Sequence, residues 1–213
     1  MLKHINKIIK YMVASDFFFN SAFASFAPFF SIFITDQIDG GSIKIAGFVS
    51  ATYWVVKSVL QLPIAKFLDK VDGERTQFWA VFWGYLLSGF VPIMYAFSTK
   101  PWHLYVVEIF LAICMAWAVP AWYNLFTKHV DRKKVSFEWS LESVFAVGVA
   151  TSLATAVGGY YADLYGFQVI FLCSGILAVS SAFLFLPLKN SFPHIKSEIS
   201  FERNFGEKHH KIH

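Results

Sequence analysis

Apolar residues in this chain come in long unbroken runs and do not alternate with polar ones. Six runs stand out: Phe17 to Thr35, Ile43 to Ala65, Thr76 to Thr99, Trp102 to Thr127, Phe137 to Ala162 and Phe167 to Leu188. Few charges interrupt them. Lys57 lies deep in the second, Glu108 near the start of the fourth, and Glu138 and Glu142 in the first turns of the fifth. A membrane-spanning helix needs about 20 mostly apolar residues and a barrel strand about half that. Continuous runs of this length predict helices. The expected fold is therefore all-α and integral to the membrane, with six transmembrane helices. Short polar separators (TDQIDGGS over 35–42, Thr99 to Pro101, the basic Lys128 to Lys134) make consecutive helices antiparallel. Met1 to Lys10 is expected to be a basic lead along the membrane surface. Residues 1–188 form the membrane domain, and 189–213, polar and mixed in charge, a disordered cytoplasmic tail.

Composition fits the bilayer as solvent. Of 213 residues, 56% are hydrophobic and only 15% charged, against about a quarter charged in a soluble domain. Cys114 and Cys173 fall inside apolar runs and read as small buried residues. No small-residue cleavage site follows the first run, so no cleaved leader is expected. The net charge of +4 would point to nucleic acid in a soluble protein, but the placement of the bases gives a different reason for it. With the N-terminus inside, 15 of the 18 Lys and Arg residues fall on inner segments; Lys44 and Lys100 fall outside and Lys57 within a span. The positive-inside rule then puts both termini in the cytoplasm, in a multi-pass protein of the cell membrane. Partners are lipid and other membrane segments, with no nucleic acid. No phosphate loop, nucleophile triad or metal-spaced cluster is present, so the chain reads as neither an enzyme nor a cofactor-binding protein.

Two separators echo one another. Pro63 to Arg75, PIAKFLDKVDGER, and Gly158 to Gly166, GGYYADLYG, each close an apolar run with an Asp and, three or four residues on, a Gly. Asp69 and Asp163 are 94 apart. Asp16 with Pro28 and Glu108 with Pro120 repeat a twelve-residue spacing at an offset of 92, and Phe78 with Phe82 matches Phe167 with Phe171. Four landmarks in the same order predict two three-helix repeats, about 11–98 and 102–188. Three is odd, so the second repeat enters the membrane from the opposite side, an inverted arrangement known in secondary transporters.

On these features the chain resembles one six-helix half of a major facilitator superfamily transporter. That family's loop between its second and third helices runs small residue, three residues, Asp, base, one residue, Gly, then bases. Ala65, Asp69, Lys70, Gly73 and Arg75 take those places, with Ala for the usual Gly and Gly73 one residue late. Gly148, Gly158 and Gly159 resemble the Gly-rich antiporter motif of the fifth helix, without its proline. The Arg common early in the fourth helix is absent, so proton antiport is not implied. The resemblance covers about residues 11–188 and implies transport of a small molecule by alternating access. Such transporters carry 12 helices, with substrate between two halves. Six helices followed by a polar tail read as a complete half, and the second half would come from a homodimer or another six-helix chain. A non-transporting accessory or regulatory protein that keeps the fold is the alternative.

The resemblance implies that Asp69, Lys70, Gly73 and Arg75 latch one half against the other; a plain charged turn is the alternative. Asp16 and Glu108 fall on the first and fourth helices, the cavity-lining pair of that fold. Ionisable groups inside spans are costly and usually face protein or water. Asp16 and Asn20 share one face, and Trp117 and Asn124 share a face of the fourth helix. These are the substrate or proton candidates, unless Asp16 merely caps its helix near the surface and Glu108 lies at the outer one. Lys57 needs a partner. Glu142 across a homodimer is one, with snorkelling or a partner in the same chain as alternatives. Lys57, Glu142, Gly148, Gly158 and Gly159 are thus the interface candidates.

Overall fold

The computed structural model describes residues 5–71 and 73–192. All regular elements among them are helical, and six helices are long and apolar enough to cross a membrane: α1 (Lys7–Gln37), α2 (Ile43–Lys70), α3 (Glu74–Ala96), α4 (Pro101–His129), α5 (Val135–Tyr165) and α6 (Phe167–Ser191). The chain is a multi-pass membrane protein.

α1 begins ten residues before the apolar run predicts. Asn6 caps it, its Oδ1 accepting the Ile8 N–H at 3.0 Å. Ile8, Ile9, Met12 and Val13 are buried. The segment expected to lie on the membrane surface is thus the first turns of α1, with lysines on one side and core residues on the other. At the far end α6 closes with a 3₁₀ turn, Leu186–Ser191, so the first residues of the expected tail belong to the helix. The remainder of that tail, from 193 on, lies outside the described residues.

Prolines shape two of the spans. α1 is interrupted by a 3₁₀ turn, Ala27–Phe29, around Pro28. α3 breaks at Gly89, where Pro92 has no N–H to offer the carbonyl of Ser88. Pro63 and Pro120 sit inside continuous helices. α5 has no proline but winds as a π-helix over Glu142–Val149.

The ends of the bundle are chemically distinct. Asn6 Nδ2 donates to the His129 carbonyl at 3.4 Å, the His129 ring lies 5.5 Å from that of Phe192, and His129 Nε2 pairs with Glu74 at 3.5 Å. The start of α1, the end of α4, the end of α6 and the α2–α3 turn therefore share one end, the basic end. At the other, the Asp39 N–H donates to the Thr99 carbonyl at 3.0 Å and ties the α1–α2 turn to the α3–α4 turn. Gly73 opens α3 with φ +129°, and Gly166 joins α5 to α6 with φ +82°. Both conformations are strained for a side-chain-bearing residue.

α4 lies against α2 and α3, α1 lies against α5 and α6, and α3 meets α6. Serines help to join α1 to α6: Ser15 Oγ donates to the Ser181 carbonyl at 2.8 Å, and the Ser25 and Ser174 hydroxyls meet at 2.6 Å. The buried apolar residues form two clusters. One, around Met12, Phe78, Leu125 and Phe185, fills the basic end; the other, around Phe33, Tyr95, Leu104 and Phe171, fills the opposite end. α2 and α5 are the outermost helices. Only 6% and 17% of their most apolar stretches are buried, against 39–56% for the other four.

α5 reaches α1 through small residues. A Cβ on Gly158 would fall on the Ser25 carbonyl oxygen, and one on Gly159 would strike the Phe29 ring at 2.8 Å. Gly47, exposed on α2, has nothing within 4 Å of the same position. Gly158→Leu is expected to destabilise the protein by at least the ~1–3 kcal/mol of an overpacked core site. Gly47→Ala should stay within about 0.5 kcal/mol of wild type. Thermal unfolding of the two variants in detergent checks both.

Candidate functional site

Asp16 and Glu108 lie inside the bundle, each held by a tyrosine of α3, while a third buried carboxyl, Glu138, sits near the basic end and accepts the Asp131 N–H through Oε2 at 3.0 Å. Asp16 of α1 accepts the Tyr85 hydroxyl proton through Oδ1 and an N–H of Asn20 Nδ2 through Oδ2 at 3.0 Å. Glu108 of α4 accepts the Tyr95 hydroxyl proton through Oε1 at 3.0 Å. Asp16 is 8% and Glu108 7% exposed. Tyr85 and Tyr95 are ten residues apart, about 15 Å along a helix at 1.5 Å per residue. Asp16 lies about 14 Å from the start of α1 by the same rise. Asn6 takes the capping role, and Asp16 has none.

Asp16 and Glu108 each line a cavity. At Asp16 the cavity is about 280 Å³ and is walled by α1, α3, α4 and α5, with Tyr123, Trp139 and Glu142 on it. Glu142 brings a second carboxyl up to Asp16. The π-helical stretch of α5 begins at this residue, and π-turns recur at functional sites because they shift the register of a helix locally. At Glu108 the cavity is about 450 Å³ and is walled by α1, α2, α3 and α4, with Ser50, Tyr53 and Trp54 on it. Phe19, Asn20 and Met115 line both. The two cavities therefore adjoin at these three side chains and together make up a cleft between α1 and α4 in two parts, one at Asp16 and Glu142 near the basic end and one at Glu108 near the other. Asn20 stands at its middle, between the two apolar clusters. Among the described residues, no Lys, Arg or His lines it.

The sequence candidates divide. Asp16 and Asn20 line one cavity, where Glu142, expected at an interface, joins them; Glu108 lines the other, which Asn20 also borders. Trp117 and Asn124 do not line it. The Trp117 ring packs edge-on to Phe67 of α2 at 5.9 Å, and α4 turns Met115, Val119, Trp122 and Tyr123 to the cleft instead. Lys57 does not pair with Glu142 within the chain. Its Nζ lies 5.3 and 5.0 Å from the ring centres of Tyr53 and Trp54, one turn back on its own helix. Gly158 and Gly159 are occupied by α1, while a Cβ on Gly148 would reach only Ser143 of its own helix. In the α2–α3 turn, Asp69 and Lys70 are exposed, Gly73 provides the reversal and Arg75 is half-buried. The ion pair there is Glu74 with His129; among the described residues neither Asp69, Lys70 nor Arg75 has one. Tyr53, Tyr85 and Tyr95 were not candidates from the sequence. Their signal is a hydroxyl in mid-span, which must find a partner where no water is available.

Removing a hydroxyl that serves a buried carboxyl leaves that carboxyl short of a donor. Tyr85→Phe and Tyr95→Phe should each cost about 1–3 kcal/mol, read by thermal unfolding in detergent. A double-mutant cycle of Asp16→Asn with Tyr85→Phe should be non-additive, and Asp16→Asn with Tyr95→Phe additive, since only the first pair is in contact.

Comparison with curated proteins and with solved structures returned no match. A family model described as Major Facilitator Superfamily matches residues 12–206. That match takes in all six candidate spans almost entirely, the α2–α3 turn and both ends of the cleft, and on it the chain belongs to the Major Facilitator Superfamily.

Proposed function

We propose that the chain is a secondary transporter that moves a small molecule through this cleft by alternating access, as a pair of six-helix halves. The observation that carries the reading is the cleft itself: two adjoining cavities between α1 and α4, with polar groups at both ends and at the shared middle of an otherwise apolar bundle. Buried carboxyls are costly in a membrane, and a passive scaffold would gain from losing them. Family membership supports the reading, since members are generally membrane transporters and not enzymes.

The pair is proposed to be a homodimer, with another six-helix half as the alternative. α2 flanks the cleft at its Glu108 end and α5 at its Asp16 end, and these are the two helices with the least buried surface. A second half laid against them would supply the missing wall of the cavity. The contact pattern supports an inverted repeat: exchanging the first three helices for the last three turns α2 on α4 into α5 on α1, and α3 on α4 into α6 on α1. Asp69, exposed and with no ion-pair partner among the described residues, is proposed to latch against a partner half as that half rocks. The basic end, with Lys66, Lys70, Arg75, Lys128, Arg132, Lys133 and Lys134, is proposed to face the cytoplasm in the cell membrane.

Native mass spectrometry of the protein released from nanodiscs tests the assembly. A species of about 48 kDa, twice the 24.2 kDa chain, is expected. A strict monomer across gentle detergents would favour an accessory protein that keeps the fold without turnover.

A further inference from the structure

Resting on the cleft as the transport site, we infer that its substrate class is an organic cation, bound at the Glu108 end with its charge on the Glu108 carboxylate and its rings against Tyr53 and Trp54. Glu108 is 93% buried, the complement of its 7% exposure, and borders a 450 Å³ cavity. Its Oε1 is taken by Tyr95, while Oε2 has no hydrogen-bond partner among the described residues. A lone carboxylate oxygen facing a cavity of this size asks for a positive group; among the described residues no basic one lines either part of the cleft, and Lys57, beside it on α2, makes no ion pair with Glu108.

The walls agree with that charge. Tyr53 and Trp54 line the same cavity, and their rings already hold an ammonium, the Lys57 Nζ at 5.3 and 5.0 Å from their centres, which an entering cation would displace. Ring faces attract cations through their quadrupole, most strongly when water is excluded. Phe23 and Phe30 from α1 add apolar walls to a space too large and too poor in oxygen ligands for a bare metal ion, which wants several oxygens close by. An anion would meet Glu108 here and the Asp16–Glu142 pair further along. A neutral molecule would leave Glu108 without a counter-charge.

The test uses the full chain in nanodiscs and three probes of one shape: the permanent cation 1-methyl-4-phenylpyridinium, uncharged 4-phenylpyridine at pH 8, and the anion 4-phenylbenzoate. Binding is read by tryptophan fluorescence and by titration calorimetry. Saturable binding of the cation is expected, at least about tenfold tighter than either analogue. Glu108→Gln keeps the shape and the Tyr95 hydrogen bond, and should weaken the cation about tenfold or more while leaving 4-phenylpyridine little changed. Trp54→Leu, at an exposed position, should weaken the cation by about threefold to tenfold. Cation binding no tighter than that of the uncharged probe, or indifferent to Glu108→Gln, would overturn the proposal. If a neutral or anionic probe saturates instead and responds to Trp54→Leu, the substrate class is wrong and the cleft stands as the site. If none of the three binds, the cleft falls as the transport site as well.

Discussion

A carboxyl group inside a lipid-embedded bundle has no water to turn to. It must be satisfied by its own protein, or the chain bears several kcal/mol for each such group. This chain keeps Asp16 and Glu108 there and meets the demand from one helix. Tyr85 and Tyr95 place two hydroxyls, ten residues apart on α3, against a carboxyl of α1 and a carboxyl of α4. α3 thereby helps fix how α1 and α4 sit relative to each other. It is anchored in turn by the Phe78–Phe185 stack and by its close approach to α6 at Gly89. The polar interior and the packing of the bundle are one arrangement.

The cleft follows from how the apolar residues divide. One cluster closes the basic end and the other the opposite end, and between them Asn20 and Met115 stand where the two cavities adjoin. Packing at both ends with space at the middle suits a site in mid-membrane whose ends open in turn. The helices that border this space, α2 and α5, are also those with least packed against them. The surface available to a second half and the surface beside the cleft are the same surface.

Much of this was legible in the sequence. Six charge-poor runs fixed the helix count, and the Asp69 and Gly73 turn pointed to the family. Asp16 and Glu108 stood out because charge in a span is rare. What stayed hidden depends on the direction of side chains. α4 is apolar all round, so its sequence does not say which face meets the cleft; Trp117 and Asn124 were expected there, but Met115 and Tyr123 take the place. The basic lead looked like a surface segment because Lys3, Lys7 and Lys10 mask the buried Ile8, Ile9 and Met12. Tyr85 and Tyr95 pass as ordinary aromatics until a carboxyl is found opposite each. The π-helical register of α5 at Glu142, the residue that approaches Asp16, has no proline or glycine pair to announce it.

Asn20 is the residue on which the account of a single, alternately opened cleft can be tested most directly. It lines both cavities and stands between the two apolar clusters. With Cys114 and Cys173 replaced, a cysteine at position 20 should react with a membrane-impermeant maleimide from either side of oriented vesicles, faster from one side than the other. Reaction from one side only, or from neither, would contradict the claim that the cleft opens to both faces of the membrane.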